Sequence, residues 1–262
     1  MERSAVTRDL GADFALAERL ADRARAVVRE RFGRAFRIER KGDGSPVTEV
    51  DLAVEHALRE LVAAERPHDA VHGEELGGGV QHDAWTWVFD PIDGTRAFAA
   101  GIPTFVTLIA LVHSGRSMLG VIEQPIAQQR WSGAAGHATL HNGVPVRVRS
   151  CAQLADAIVG TTGPQFFGDA LPRFTSFAKS VRDVQWGGDG YLYGALASGG
   201  LDLVIERGLA VHDYAAVLPI VEGAGGRVTD WSGAPLTVAG KQNLIACADP
   251  RLHAAAVEAL RG

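Results

Sequence analysis

The stretch Trp85-Thr86-Trp87-Val88-Phe89-Asp90-Pro91-Ile92-Asp93-Gly94-Thr95 constrains this chain more than any other. Its first five residues are apolar-rich and read as a buried strand. The strand runs into two carboxylates, a proline, a glycine and a hydroxyl. Asp90 and Asp93 stand three apart around a predicted tight turn, so both can face one point. Pro91 stiffens that turn and removes a competing N–H. Gly94 lets backbone approach a ligand closely. Such a turn can gather hard cations and a phosphate. An ordinary Asp/Pro/Gly turn after a strand has the same composition, so the stretch alone leaves both readings open.

The 262 residues suffice for one large or two modest domains. Net charge is −5 with both signs interspersed, which offers no nucleic-acid footprint. The basic run from Arg23 to Arg40 lies mostly on the polar face of a predicted helix. Two cysteines, Cys151 and Cys247, form no metal or redox pattern, which suits a reducing cytoplasm. Met1 to Leu10 is charged and lacks the apolar core of a secretory signal. No apolar run reaches membrane-spanning length.

Phe14, Ala17, Leu20, Ala21, Ala24, Val27, Val28 and Phe32 recur at helical spacing, predicting one amphipathic helix that ends at Gly33. A Gly/Ser/Pro-rich loop from Arg40 to Val47 follows. Thr48 with Asp51 reads as a capping box opening a helix through about Ala64. That cap explains both residues structurally; a loop carrying Lys41 and Asp51 could also fold over a neighbouring metal site. Ala70 to Gly73 reads as a short strand running into Glu74 and Glu75. If it pairs with the strand ending at Asp90, Glu74 joins that edge.

Beyond the organising stretch, Thr104 to Val112 and Ser117 to Glu123 read as a hairpin. Short strands follow at Gln128 to Ser132, Ala138 to Leu140 and Val144 to Val148, the last after an Asn142-Gly143 turn. Residues 1–150 are thus expected to form helices plus a mainly antiparallel sheet. Residues 151–262 alternate strands and helices, including a helix from about Asp213 to Ala224, and are expected to form an α/β half. Asp213 sits at or near that helix's start, where an N-cap is the plain reading. Gly223 to Gly226 is in the wrong order for a dinucleotide fingerprint and reads as a helix C-cap.

Glu74, Asp90, Asp93 and Asp213, with Asp51 nearby, are hard oxygen ligands suited to Mg²⁺ or Mn²⁺. The nine histidines show no metal-motif spacing, and His68 and His72 read as structural.

Over nearly its whole length the chain resembles the inositol monophosphatase superfamily of metal-dependent phosphatases. The matching elements are Thr48-x-x-Asp51, Gly73-Glu74-Glu75, Asp90-Pro91-Ile92-Asp93-Gly94-Thr95, and Asp213-Tyr214-Ala215-Ala216 followed by Gly225-Gly226. His212 departs from the pattern, because many members carry Trp there, and the change is expected to alter packing beside the metal more than the ligation itself. The resemblance implies a layered α-β-α-β-α sandwich of the inositol-monophosphatase/fructose-1,6-bisphosphatase type. It implies two or three Mg²⁺ per site, with Mn²⁺ an alternative. Glu74, Asp90 and the Ile92 carbonyl would bind the first; Asp90, Asp93 and Asp213 the second; Glu74 would help hold a third. Thr95, bonded to Asp51, would orient the attacking water, and the Gly94 and Thr95 N–H groups would hold phosphate. A homodimer is also implied, with no nucleic-acid or membrane partner expected.

Three features are similar to the histidinol-phosphate phosphatase branch. They are Arg96-Ala97-Phe98 after Thr95, the segment Gly188-Asp189-Gly190-Tyr191, and the run from Ala197 through Glu206 to Gly226. Asp189 and Glu206 are expected to face the ammonium and imidazole of histidinol phosphate. For each, a plain alternative stands: Asp189 as a turn residue, Glu206 as strand-end charge. A broad inositol-1-phosphatase is the second expectation and a bisphosphate-nucleotide phosphatase the third. A non-catalytic phosphate binder is the remaining one.

Overall fold

The computed structural model describes residues 8–42 and 44–261. The sequence readings at residues 1–7 and at Asp43 lie outside the described residues.

Helix α1 (Leu10–Arg31) starts where the Asp9 carboxylate accepts from the Gly11 N–H at 2.9 Å, and it stops at Phe32. Its buried stripe is Leu16, Ala17, Leu20, Ala21, Ala24 and Val28. Strands β1 (Ile38–Arg40) and β2 (Pro46–Thr48) form an antiparallel hairpin where sequence suggested only loop. Every residue of β1 is exposed, so no apolar alternation betrays it. Helix α2 (Glu49–Glu65) opens on the predicted capping box.

Strands β3 (Ala70–Gly73) and β4 (Thr86–Asp93), the short helix α3 (Thr95–Ala99), and strands β5 (Val106–His113), β6 (Arg116–Gln124), β7 (Gln129–Ala134), β8 (Leu140–His141) and β9 (Val144–Pro145) follow. The seven strands make one sheet in sequence order, parallel only between β3 and β4. Then come β10 (Ile158–Thr161), α4 (Leu171–Ala178), β11 (Asp183–Trp186), α5 (Tyr191–Ala197), β12 (Leu203–Leu209), α6 (Val211–Tyr214), α7 (Val217–Gly223), β13 (Arg227–Asp230), β14 (Gln242–Cys247) and α8 (Pro250–Arg261). They build a five-stranded mixed sheet in the order β11-β10-β12-β14-β13.

Side-chain alternation sorts these elements into layers. Trp87, Phe89, Ile109 and Leu111 face α1 and α2 in one core. Their neighbours Val88, Leu108, Ala110 and Val112 face a second core with α5, α6 and α7. Val204, Leu244 and Ala246 close that second core from the other sheet. Leu203, Ile205 and Ile245 face a third core with α4 and α8. The order is therefore α-β-α-β-α, as expected. Both sheets are covered on two faces, which is why their strands read as unbroken apolar runs.

Two local expectations are corrected. The tight turn at Asp90 is a β-bulge: β4 continues to Asp93, with Asp90 opposite Leu108 and Asp93 opposite Val106. One extra residue on β4 breaks the ladder, and Thr107 Oγ1 donates to the freed Pro91 carbonyl at 2.7 Å. The helix expected from Asp213 to Ala224 begins at Val211 and breaks after Tyr214. Pro219 has no N–H for the Ala215 carbonyl four residues back. Ser117 of β6 donates to that carbonyl instead, at 2.6 Å.

Candidate active site

The bulge aims Asp90 and Asp93 out of the ladder at the carboxyl end of β4. Parallel pairing sets Gly73 opposite Phe89, so Glu74 emerges beside Asp90, its N–H donating to the Phe89 carbonyl at 3.1 Å. Asp213 arrives from α6 and is held by the Ala210 N–H at 2.6 Å. It is the third residue of that helix rather than its N-cap. Oxygens of Asp90, Asp93 and Asp213 lie within 4.8 Å of one another. Oxygens of Glu74 and Asp90 and a nitrogen of His212 form a second such group. Asp90 belongs to both, so two adjacent cation positions share one carboxylate.

Asp51 comes from the first turn of α2. Its carboxylate takes the Thr48 N–H at 2.9 Å and also the Thr48 hydroxyl, so it does cap the helix. Its other oxygen lies 3.3 Å from Thr95 Oγ1. That hydroxyl is also 3.0 Å from the Ile92 carbonyl. Cap and site residue are thus one side chain. Gly94 precedes Thr95 at φ +92°, and a Cβ there would stand 2.9 Å from Asp189 Oδ2. No L side chain fits both demands.

Asp189 and Glu206 line one cleft of ≈230 Å³ with Asp93, Tyr193 and Asp213. The Thr162 N–H and hydroxyl donate to Glu206 at 2.6 and 2.9 Å. Arg96 lies over the Phe166 ring at the cleft, 5.5 Å from its centroid. Lys41 bridges Glu74 at 2.7 Å and Glu75 at 2.8 Å.

Burial drives the electrostatics. Asp90 and Asp93 are held well above the ordinary carboxylate range, first by desolvation and then by neighbouring acids. Asp213 is raised for the same leading reason. Burial also lifts Asp51 and Asp189 to about 6, Glu75 to about 7 and Glu206 to about 8. Asp90 Oδ1 is buried with no hydrogen-bond partner among the described residues. Acids crowded this way are stabilised by cations, and the all-carboxylate group of Asp90, Asp93 and Asp213 suits Mg²⁺ or Mn²⁺. The residues present therefore fit a divalent metal site.

Comparison with known proteins agrees. The inositol monophosphatase family model matches residues 11–262. The chain belongs to the inositol monophosphatase family. It is 40% identical to the bifunctional phosphatase IMPL2, chloroplastic, of Arabidopsis thaliana, covering 94% of this chain and 74% of that protein. It is 38% identical to a histidinol-phosphatase of Mycobacterium tuberculosis, over 84% of this chain and 88% of that one. It superposes on a solved inositol monophosphatase from Zymomonas mobilis with a TM-score of 0.88 and 42% identity, covering 99% of this chain and 100% of that one. This family member is a phosphatase with acidic groups able to bind metal. No helix among the described residues is long and apolar enough to cross a membrane.

Of the expected site residues, Glu74, Asp90, Asp93 and Asp213 fall in the two donor groups, Asp93, Asp189, Glu206 and Asp213 line the cleft, and Asp51 and the Ile92 carbonyl meet at Thr95 Oγ1. Sequence reasoning missed Tyr193 of α5 and Thr162 and Phe166 of the segment after β10, which line the cleft. His212, expected to alter packing beside the metal more than the ligation, brings a ring nitrogen into one donor group. None stands in a motif, and only the fold brings them together.

Proposed function

We propose that this phosphatase hydrolyses L-histidinol phosphate to L-histidinol and phosphate, using Mg²⁺. The observation that carries the reading is the cleft itself, where Asp189 and Glu206 flank the Asp93/Asp213 edge of the cation cluster. A substrate bound with its phosphate at the cluster would lay its cationic head along that acidic wall.

Glu74, Asp90 and the Ile92 carbonyl would hold one cation, Asp90, Asp93 and Asp213 another, and Glu74 would share a third. Cations so held lower the pKa of a water and offset phosphate charge. The chain's own residues do the rest. Asp51, raised to about 6, accepts the Thr95 proton and leaves Thr95 Oγ1 to take one from the attacking water. The Gly94 and Thr95 N–H groups would steady the phosphate at the start of α3. Asp189 and Glu206 would orient the leaving alcohol, and Arg96 would close the cleft over Phe166.

A second reading, inositol 1-phosphate, has its own support. Glu206, lifted to about 8 by burial, is largely protonated near neutrality and can hydrogen-bond neutral hydroxyls. A phosphate-release panel with Mg²⁺ decides between them, using L-histidinol phosphate, inositol 1-phosphate and adenosine 3′,5′-bisphosphate. The expected result is a kcat/KM for histidinol phosphate at least tenfold above the others, on the order of 1.4 kcal/mol of discrimination. Comparable values for all three would sink the assignment. Ligand binding without any turnover would favour a phosphate-binding protein.

A further inference from the structure

The two cation positions differ in donor chemistry. One is all carboxylate: Asp90, Asp93 and Asp213. The other includes an imidazole nitrogen, from His212, beside Glu74 and Asp90. We infer that His212 is a metal ligand at this second position, which makes it prefer Mn²⁺ to Mg²⁺ while the all-oxygen position does not.

Several features converge on this. Asp90 is 2% exposed and its Oδ1 has no hydrogen-bond partner among the described residues. His212 Nδ1 is likewise buried and unpartnered. Buried polar atoms left unpaired are costly, and two such atoms on residues of one donor group suit a common partner. A cation suits an anionic oxygen and an imidazole lone pair together. His212 Nε2 lies 3.4 Å from Asp213 Oδ1, which is an acceptor. Neither ring nitrogen takes a hydrogen bond from a described residue, so a lone pair stays available. An imidazole backed by a carboxylate is also the usual setting of a ligating histidine, because the carboxylate fixes the tautomer.

The ring is held in place. It stacks on His72, with centroids 6.0 Å apart and planes 25° apart. His72 is tied through Nδ1 to the Gly78 carbonyl at 3.0 Å. His72 itself lies outside the donor group. Mg²⁺ demands hard oxygen donors in near-ideal octahedral geometry and gains little from imidazole. Mn²⁺ also favours oxygen but, as the first of the transition metals whose affinity for nitrogen rises along the series, gains more from one imidazole than Mg²⁺ does. A Trp in place of His212 offers no lone pair, so the substitution changes the site's chemistry and not only its packing.

The inference rests on reading this cluster as a metal site, but not on which phosphate ester is cleaved. The test loads the intact protein with Mn²⁺ and records nitrogen modulation of its electron spin echo, in wild type, His212→Phe and His72→Phe. Mg²⁺ and Mn²⁺ affinities are measured alongside by competition. Nitrogen modulation is expected in wild type and His72→Phe, and absent in His212→Phe. The preference for Mn²⁺ over Mg²⁺ should drop on the order of tenfold in His212→Phe. An all-oxygen Mn²⁺ signal in the wild-type protein overturns the inference, even if His212→Phe fails to fold. An unchanged metal preference in a folded His212→Phe does the same. Phosphate release is scored separately. Nitrogen-ligated Mn²⁺ without hydrolysis leaves this inference standing and sinks the functional reading. Hydrolysis with all-oxygen Mn²⁺ does the reverse.

Discussion

Asp90 is the residue on which the site turns. It is buried, belongs to both donor groups, and keeps an oxygen with no protein partner. Replacing Asp90 with Asn removes charge from both cation positions at once. The expected loss in kcat is about 10³-fold or more, with metal affinity falling in parallel by calorimetric titration. Near-normal turnover by that variant would mean the site lies elsewhere. Asp189 tests a different claim. It stands close to Gly94 and lines the cleft beside Asp93 and Asp213, but belongs to neither donor group. Asp189→Asn should raise KM for histidinol phosphate several-fold more than for an uncharged phosphate ester. Equal effects on both substrates would remove its role as a reader of the cationic head.

Elements place these residues through close backbone contacts. β6 meets the junction of α6 and α7 at Gly120, where any Cβ would overlap the Ala216 carbonyl oxygen. Ser117, on the same strand, holds the Ala215 carbonyl. This contact fixes α6, and with it Asp213. Gly120→Ala should therefore cost about 1–3 kcal/mol of stability, as overpacking does. It should also weaken metal binding by pushing Asp213 off its partners. Denaturant unfolding and metal titration of the variant would read both effects. Lower stability with unchanged metal affinity would show that the junction does not position Asp213.

At the scale of the whole molecule, the buried acids make stability depend on pH and metal together. Asp51 and Asp189 near 6, Glu75 near 7 and Glu206 near 8 all lie above their unfolded values, chiefly through desolvation. Between the unfolded and folded pKa the unfolded chain binds fewer protons. Stability therefore falls as pH rises through that window. The penalty is absent below about pH 4 and fully developed above about pH 8. Melting of metal-free protein in chelator should show Tm declining from pH 5 to pH 8. Glu206→Gln should flatten the upper part of that decline. Saturating Mg²⁺ should offset most of it, because the cation replaces protons among the crowded acids. A Tm that rises across this range without metal would contradict the burial of these groups.

Sequence alone determined the buried strands, because a strand covered on both faces is apolar along most of its length, while their layered order was legible only through the resemblance to the family. That is how β4, β5, β6 and β12 read. It also determined α1 and the Thr48/Asp51 start of α2, since spacing and capping are local. The four carboxylates and Thr95 were legible because their ordered motifs match the family. Tertiary structure decided what lies between distant segments. The bulge at Asp90 comes from pairing with β5, and the break before α7 joins Pro219 to Ser117 on another strand. The β1–β2 hairpin, with β1 wholly exposed, carries no apolar pattern for sequence to reveal. Most of all, His212 and Tyr193 gained meaning only from position. An imidazole beside Glu74 and Asp90, and a phenol in the cleft wall, are products of folding and not of spacing. Ligand chemistry depends on distances of a few ångströms between atoms far apart in the chain, and only the packed molecule sets those.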